Sequence, residues 1–234
     1  MNTPRVLLVE DDLSLQRFVE LALDGMALDL RCCATVAEAI DLLRSDRYAL
    51  VITDLLLPDA SGRDLLARLQ QEPDLRGNAR CAVFSGGLDD AGKRADLMAL
   101  GAWRLLSKPC SLDELESLVN EALQGASAAA PTARTSVDPV QSHFGGNEAL
   151  YRAFRASCLQ QFAQDLALGD AACSAGDAPA LQRLAHSLKS VLLSLGHEHE
   201  SQLARQLEYL AEGAQMEAAQ ALWMRLGHAL RQLH

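Results

Sequence analysis

Val6-Leu7-Leu8-Val9-Glu10-Asp11-Asp12 opens the chain with four apolar residues that give way at once to three acids. The run is far too short for a signal peptide or a membrane span. A short apolar run followed by an amphipathic stretch recurs through residue 124, the pattern of a parallel sheet covered by helices. Strands are predicted at Arg5–Val9, Asp29–Cys33, Leu50–Thr53, Cys81–Ser85 and Trp103–Leu106, and helices near 13–25, 36–45, 61–71, 89–100 and 111–123. Five strands alternating with five helices make a doubly wound α/β domain with a parallel five-stranded sheet. Such sheets gather their reactive groups at the carboxyl ends of the strands.

Beyond residue 124 the pattern changes. Residues 125–137, from Gly125 to Val137, are small and polar without an apolar period, which is linker composition. A flexible linker of that size spans roughly 20 Å. From about 148 to 233 helical periodicity dominates, broken near Gly176-Asp177, Gly196 and Gly213. Four or five helices joined by short turns imply an antiparallel bundle. The expected domains are therefore 1–124 (α/β), a linker at 125–137, and an all-α four-helix bundle over 138–234.

Composition narrows the classes. At 234 residues two domains are expected. Hydrophobic residues at 49% and charged residues at 22% fit a soluble globular chain, and 4% aromatics leave an aliphatic core. With 31 acidic and 21 basic residues the net charge is -10, which argues against a surface that tracks nucleic-acid phosphates. Cys32, Cys33, Cys81, Cys110, Cys158 and Cys173 contain no CxxC pair, so they read as reduced residues of a cytoplasmic protein. Neither a nucleic-acid nor a membrane partner is expected.

Polar residues collect at four predicted strand ends: Glu10 and Asp11, Asp54, Ser85 and Lys108. An acid after a strand is ordinarily a helix cap, and Asp12, ahead of Leu13-Ser14-Leu15, reads as one. Five polar residues at matching strand ends are poorly explained by coincidence. Their chemistry suits phosphoryl transfer, with Asp54 as the nucleophile that forms an acyl phosphate. Glu10 and Asp11 beside it would hold Mg²⁺, a hard cation that favours carboxylates, carbonyls and water. Lys108 and the Ser85 hydroxyl would bind phosphoryl oxygens.

Val6 to Asp12, Thr53-Asp54 through Gly62, Phe84-Ser85-Gly86 and Gly101 through Lys108-Pro109 together resemble the motif set of response-regulator receiver domains, in order, over residues 4 to about 124. The resemblance implies a flavodoxin-like receiver fold with Asp54 as phosphoacceptor. It adds the backbone carbonyl of Leu56 to Glu10, Asp11 and Asp54 as metal ligands, pairs Ser85 with Lys108 as the switch, and implies a cis Lys108–Pro109 bond. One departure stands out, because Leu105 occupies the position where the family usually carries Tyr or Phe.

The second site centres on His186 in Leu184-Ala185-His186-Ser187-Leu188-Lys189-Ser190. At about 100° per residue, Leu184, Leu188, Val191 and Leu195 cluster as a core stripe, with His186 and Leu193 expected on the exposed side. A lone surface histidine is usually incidental. Here Lys189 at i+3 is within reach of phosphate on the ring, and Ser190 at i+4 is small enough for another backbone to approach. An imidazole sealed inside the bundle would be incompatible with in-line attack on a partner's aspartyl phosphate. The stretches Phe144 to Tyr151, Ala175-Gly176-Asp177, Ala185 to Lys189, Leu195-Gly196 and Leu203 to Glu208 resemble a histidine-containing phosphotransfer (HPt) domain over about 138–234. The family residue after the lysine is commonly Gly, where this chain has Ser190. His197, Glu198 and His199 lack further ligands for a tetrahedral zinc site.

These readings predict a phosphorelay protein. A histidine kinase or hybrid kinase would supply Asp54, and His186 with Lys189 would exchange phosphate with a partner receiver. No Walker-type loop or kinase segment is apparent, so no autophosphorylation from ATP is expected, although the receiver would catalyse its own phosphorylation and dephosphorylation. An alternative makes the receiver a phosphorylation-dependent gate on a bundle that serves a separate relay. A third, a small-substrate phosphatase, is disfavoured because that class commonly has a second Asp where Leu56 stands.

Overall fold

The computed structural model describes residues 3–86, 88, 90–124 and 138–233. The chain divides into two compact units, Met1–Thr135 and Ser136–His234. The linker expected over 125–137 lies outside the described residues.

The first unit carries β1 (Arg5–Val9), α1 (Leu13–Leu23), β2 (Asp29–Cys33), α2 (Val36–Ser45), β3 (Leu50–Thr53), α3 (Gly62–Gln71), α4 (Pro73–Arg76), β4 (Arg80–Ser85), α5 (Ala91–Ala99), β5 (Arg104–Ser107) and α6 (Leu112–Gln124). The strands are all parallel in the order β2-β1-β3-β4-β5, the doubly wound α/β class expected from the alternation. Strands β1, β3 and β4 are buried along almost their whole length, which their unbroken apolar runs require. The edge strands β2 and β5 instead expose Arg31 and Arg104, charges that discourage further strand pairing. From β1 the chain passes first to β2 on one side and then to β3 on the other. The carboxyl ends of β1 and β3 therefore border the crevice where such sheets bind their ligands.

Two details differ from expectation. Strand β4 begins one residue early, at Arg80, because Arg80 pairs with Leu50 of β3, and β5 is shifted by one residue to Arg104–Ser107, because the ladder pairs Ala82 with Arg104 and Ser85 with Ser107. Helix α4 is a single turn that sequence periodicity cannot register; Pro73 pre-sets its first helical position.

The second unit consists of α7 (Pro139–Phe144), α8 (Glu148–Ala175), α9 (Ala178–Ser194), α10 (Glu198–Glu212) and α11 (Met216–Leu230). Helix α8 packs on α9, α9 on α10, α10 on α11 and α11 back on α8, which closes a four-helix bundle with α7 set against α8. The glycine breaks read from sequence fall at the helix ends: Gly176 and Gly213 are the C-terminal caps of α8 and α10, and Gly196 follows α9. Asp177 then caps α9 by accepting the Ala180 N–H at 3.0 Å. Leu150, Phe154, Cys158 and Phe162 recur every fourth residue of α8 and fill the bundle core with Trp223.

Gly169 lets α8 approach α11 closely, since a Cβ there would lie 2.0 Å from the Trp223 ring. The ring is fixed along the same edge by an Nε1–H bond to Asp170 Oδ1 at 2.8 Å. Gly169→Ala should therefore destabilise the bundle by about 1–3 kcal/mol, the usual cost of overpacking. Urea unfolding followed by circular dichroism tests this, and an unchanged midpoint would contradict the contact.

Candidate functional site

Four strand ends set the geometry of the first site. Val9 and Thr53 pair in register, and the Asp54 N–H donates to the Val9 carbonyl at 2.9 Å, which places Glu10 and Asp54 side by side. The Lys108 N–H donates to the Ser85 carbonyl at 3.0 Å, anchoring the turn after β5 to the end of β4. Lys108 Nζ then reaches Asp54 Oδ2 at 2.9 Å and pairs with Glu10 as well. All three side chains are buried. Asp54 Oδ1 accepts the Leu55 N–H at 2.6 Å. The Lys108–Pro109 bond is cis.

The electrostatics follow from burying several acids around one ammonium. Burial pushes the Glu10 carboxyl well above the usual range; Lys108 opposes this and Asp54 adds to it. Asp11 is pushed up to about 6, first by burial and then by the Asp54 charge. Burial alone would lower Lys108, but Asp54 and Glu10 outweigh it and raise the ammonium above its ordinary value. Carboxylate oxygens of Glu10, Asp11 and Asp54 lie within 4.8 Å of one another. A hard-oxygen cluster in which Glu10 and Asp11 resist ionisation fits a divalent cation, which would relieve the surplus negative charge.

The other expected residues fall around this cluster. Ser85 is buried at the end of β4, beside Lys108. Leu56 lies in the turn after β3, bridged to Ser61; the resemblance alone assigns its carbonyl to the metal. Asp12 caps α1, accepting from Ser14 N at 2.7 Å and Leu15 N at 3.0 Å. At Gly62, the first residue of α3, a Cβ would sit 1.9 Å from the Asp54 carbonyl oxygen, so the turn beside Asp54 has no room for a side chain. Leu105 is half-buried and packs on the core, whereas the Phe84 ring lies 5.1 Å from Lys108 Nζ, within cation–π range.

The structure overturns the expected exposure pattern at the second site, and the His186 ring as it stands is too enclosed for in-line attack on a partner's aspartyl phosphate. His186 is 5% exposed rather than facing solvent, and Leu184 and Leu193 are both half-buried, while Leu188, Val191 and Leu195 are buried as expected. The helical-wheel reading assumed one buried stripe, but α9 packs against both α8 and α10 and so buries two sides. His186 lies on the α10 side, where its Nδ1 meets Glu208 Oε1. Lys189 Nζ donates to the other oxygen of the same carboxylate, Oε2, at 2.6 Å.

Glu208 is the site residue that sequence reasoning passed over. It sat within a stretch quoted for its resemblance, but its partners are 19 and 22 residues away, and helical spacing carries no such information. Burial alone would raise this carboxyl. The hydrogen bond and charge of His186, together with Lys189, outweigh burial and hold it at about 2. An ionised Glu208 can only accept, so Nδ1 carries the proton. In the neutral ring the lone pair is then on Nε2.

Comparison with known proteins agrees with this architecture. The family model for the response regulator receiver domain matches residues 6–120, and that for the Hpt domain matches residues 150–234. The response regulator protein PilR of Pseudomonas aeruginosa is 35% identical over 53% of this chain and 27% of its own length. The transcriptional regulatory protein PmrA of Pectobacterium parmentieri is 40% identical over 49% of this chain and 50% of its own. The chain thus spans half or less of these curated relatives. The signal receiver domain of an HD domain-containing protein from Pseudomonas fluorescens is 28% identical, covering 53% of this chain and 90% of that one, with a TM-score of 0.48. Among the described residues no helix is long and apolar enough to cross a membrane.

Two measurements probe these sites. Calorimetric titration with Mg²⁺ should show affinity reduced at least about tenfold by Asp11→Ala, and less by Glu10→Ala, whose carboxylate is already engaged by Lys108; equal affinities in all three chains would reject the metal assignment. Glu208, held below its unfolded value of 4.5, contributes stability that is complete above that value and is lost as pH falls towards about 2. In Glu208→Gln that acid-dependent loss should flatten in unfolding curves recorded between pH 5 and 2, by an amount absent from a surface Glu→Gln control.

Proposed function

We propose that this chain, a response-regulator receiver domain joined to an Hpt domain, works as a phosphorelay intermediate in which Asp54 and His186 are successive phosphoryl carriers. The observation that carries the reading is the presence in one chain of a buried, lysine-tethered Asp54 and, separately, a carboxylate-oriented His186. The receiver would occupy 1–124 and the phosphotransfer bundle 138–234, joined through 125–137.

At the first site an Asp54 oxygen would attack phosphorus of a phosphohistidine on an upstream histidine kinase or hybrid kinase. A P–O bond forms as the donor P–N bond breaks, and the electron pair leaves with the donor imidazole. Glu10, Asp11, Asp54 and the Leu56 carbonyl would hold Mg²⁺, which supplies charge neutralisation for the phosphoryl oxygens. Lys108 would exchange a carboxylate contact for a phosphoryl oxygen, and the Ser85 hydroxyl would bond another. At the second site Glu208 keeps the proton on Nδ1, so that Nε2 can attack the aspartyl phosphate of a receiver. With His186 covered, this attack needs the ring to be uncovered on docking.

A second reading is compatible with that cover: phosphorylation at Asp54 would govern access to a His186 that serves a separate relay. One experiment separates the two. Full-length wild type, Asp54→Ala, and a mixture of Asp54→Ala with His186→Gln are treated with acetyl phosphate and Mg²⁺, and phosphate on His186 is followed over time. The relay predicts label on His186 in wild type, delayed behind Asp54, and none in Asp54→Ala alone. Label restored in the mixture would show transfer between chains. Equal His186 labelling in wild type and Asp54→Ala would refute the relay order.

A further inference from the structure

Helix α9 carries a second polar group in the same condition as the imidazole. His186 is 5% exposed and Ser190 1% exposed, yet His186 Nε2 and Ser190 Oγ have no hydrogen-bond partner among the described residues. Leaving one buried polar atom unpaired costs roughly 1–3 kcal/mol. A buried helical serine has an easy remedy, a bond to the carbonyl four residues back, and Ser194 Oγ takes it by donating to the Ser190 carbonyl at 3.0 Å. Ser190 makes no such bond. Residues four apart face the same way on a helix, so the two residues that carry the unbonded atoms lie one turn apart on one face. Lys189 is adjacent in sequence, its Nζ held by Glu208.

A tetrahedral anion on Nε2 would answer both needs. We propose that Ser190 is a positioning residue for the phosphoryl group carried by His186, its hydroxyl donating to a phosphoryl oxygen once Nε2 is modified. The inference rests on the reading of His186 as a carrier. In the transfer, the Nε2 lone pair forms the N–P bond, the P–O bond to the donor carboxylate breaks, and the electron pair leaves with that carboxylate. Nδ1 keeps its proton towards Glu208, and the ring becomes an imidazolium facing that carboxylate. Ser190 keeps its own proton. Its hydrogen bond and the Lys189 ammonium serve different phosphoryl oxygens, so the serine favours the phosphorylated form over the free one.

The test uses the full chain carrying Asp54→Ala, so that His186 is the acceptor read, held in a fixed ratio of phosphoramidate to ammonia. There the N–P bond of the donor breaks, ammonia leaves, and the ratio of phosphorylated to free His186 is read by phosphorus NMR. A hydrogen bond to a charged group corresponds to about a tenfold change, so Ser190→Ala should lower the ratio about tenfold. Its unfolding midpoint without phosphate should stay level or rise, because an unbonded buried hydroxyl has gone. Ser190→Thr, which keeps the hydroxyl, should restore most of the ratio. An unchanged ratio in Ser190→Ala overturns the proposal while leaving His186 as carrier. An equal fall in both variants assigns the effect to shape and overturns it too. Failure of the Ser190-containing chain to take phosphate on His186 removes the carrier reading and this inference together.

Discussion

A single buried ammonium holds the first unit's functional end together. Lys108 arrives from the far side of the sheet and pairs with Asp54 from β3 and Glu10 from β1. Its backbone N–H is tied to the last residue of β4. Carboxylates removed from water to this extent ionise only when a cation compensates them, and removing one partner of a buried pair usually costs far more than the pair contributes. The strand ends are therefore held in place partly by charge. With Asp11 nearby the acids still outnumber the ammonium, which makes the same crevice receptive to a divalent ion.

The helical unit inverts that arrangement. Where one cation serves two acids at Asp54, one acid serves two nitrogen groups at Glu208, one on each oxygen. The physical result differs accordingly. At Asp54 one carboxylate oxygen is held by a lysine and the other by the Leu55 N–H, so in the proposed transfer the lysine must loosen. At His186 the occupied nitrogen is Nδ1, and its occupation directs the lone pair of the neutral ring to Nε2, the atom proposed to react. Holding Lys189 on the same carboxylate keeps an ammonium beside the ring.

The α/β fold was legible because β1, β3 and β4 are unbroken apolar runs, and runs buried on both faces need no subtle pattern to be seen. Asp54 and Lys108 were legible for a related reason, as polar residues at the ends of such runs stand out. The single-turn α4 is shorter than any period that could reveal it. His186 was placed on the right helix but on the wrong side of it, since one wheel cannot say how many neighbours a helix has. Glu208 was hidden because its role depends on how α10 lies against α9, a packing relation that no local spacing encodes.

With His186 as the proposed phosphoryl carrier, its covered Nε2 would bear on fidelity among many similar partners. An acceptor atom that must be uncovered before it reacts is available for only a fraction of the time, and its apparent reactivity falls by that fraction. Random collisions with a phosphodonor then achieve little. A receiver whose docking face favours the uncovered form recovers the full intrinsic rate, so discrimination shifts from the reactive nitrogen to the surface surrounding it. In a cell holding numerous receivers with near-identical acidic sites, such an arrangement would insulate one signalling line from another without any change in the chemistry they share.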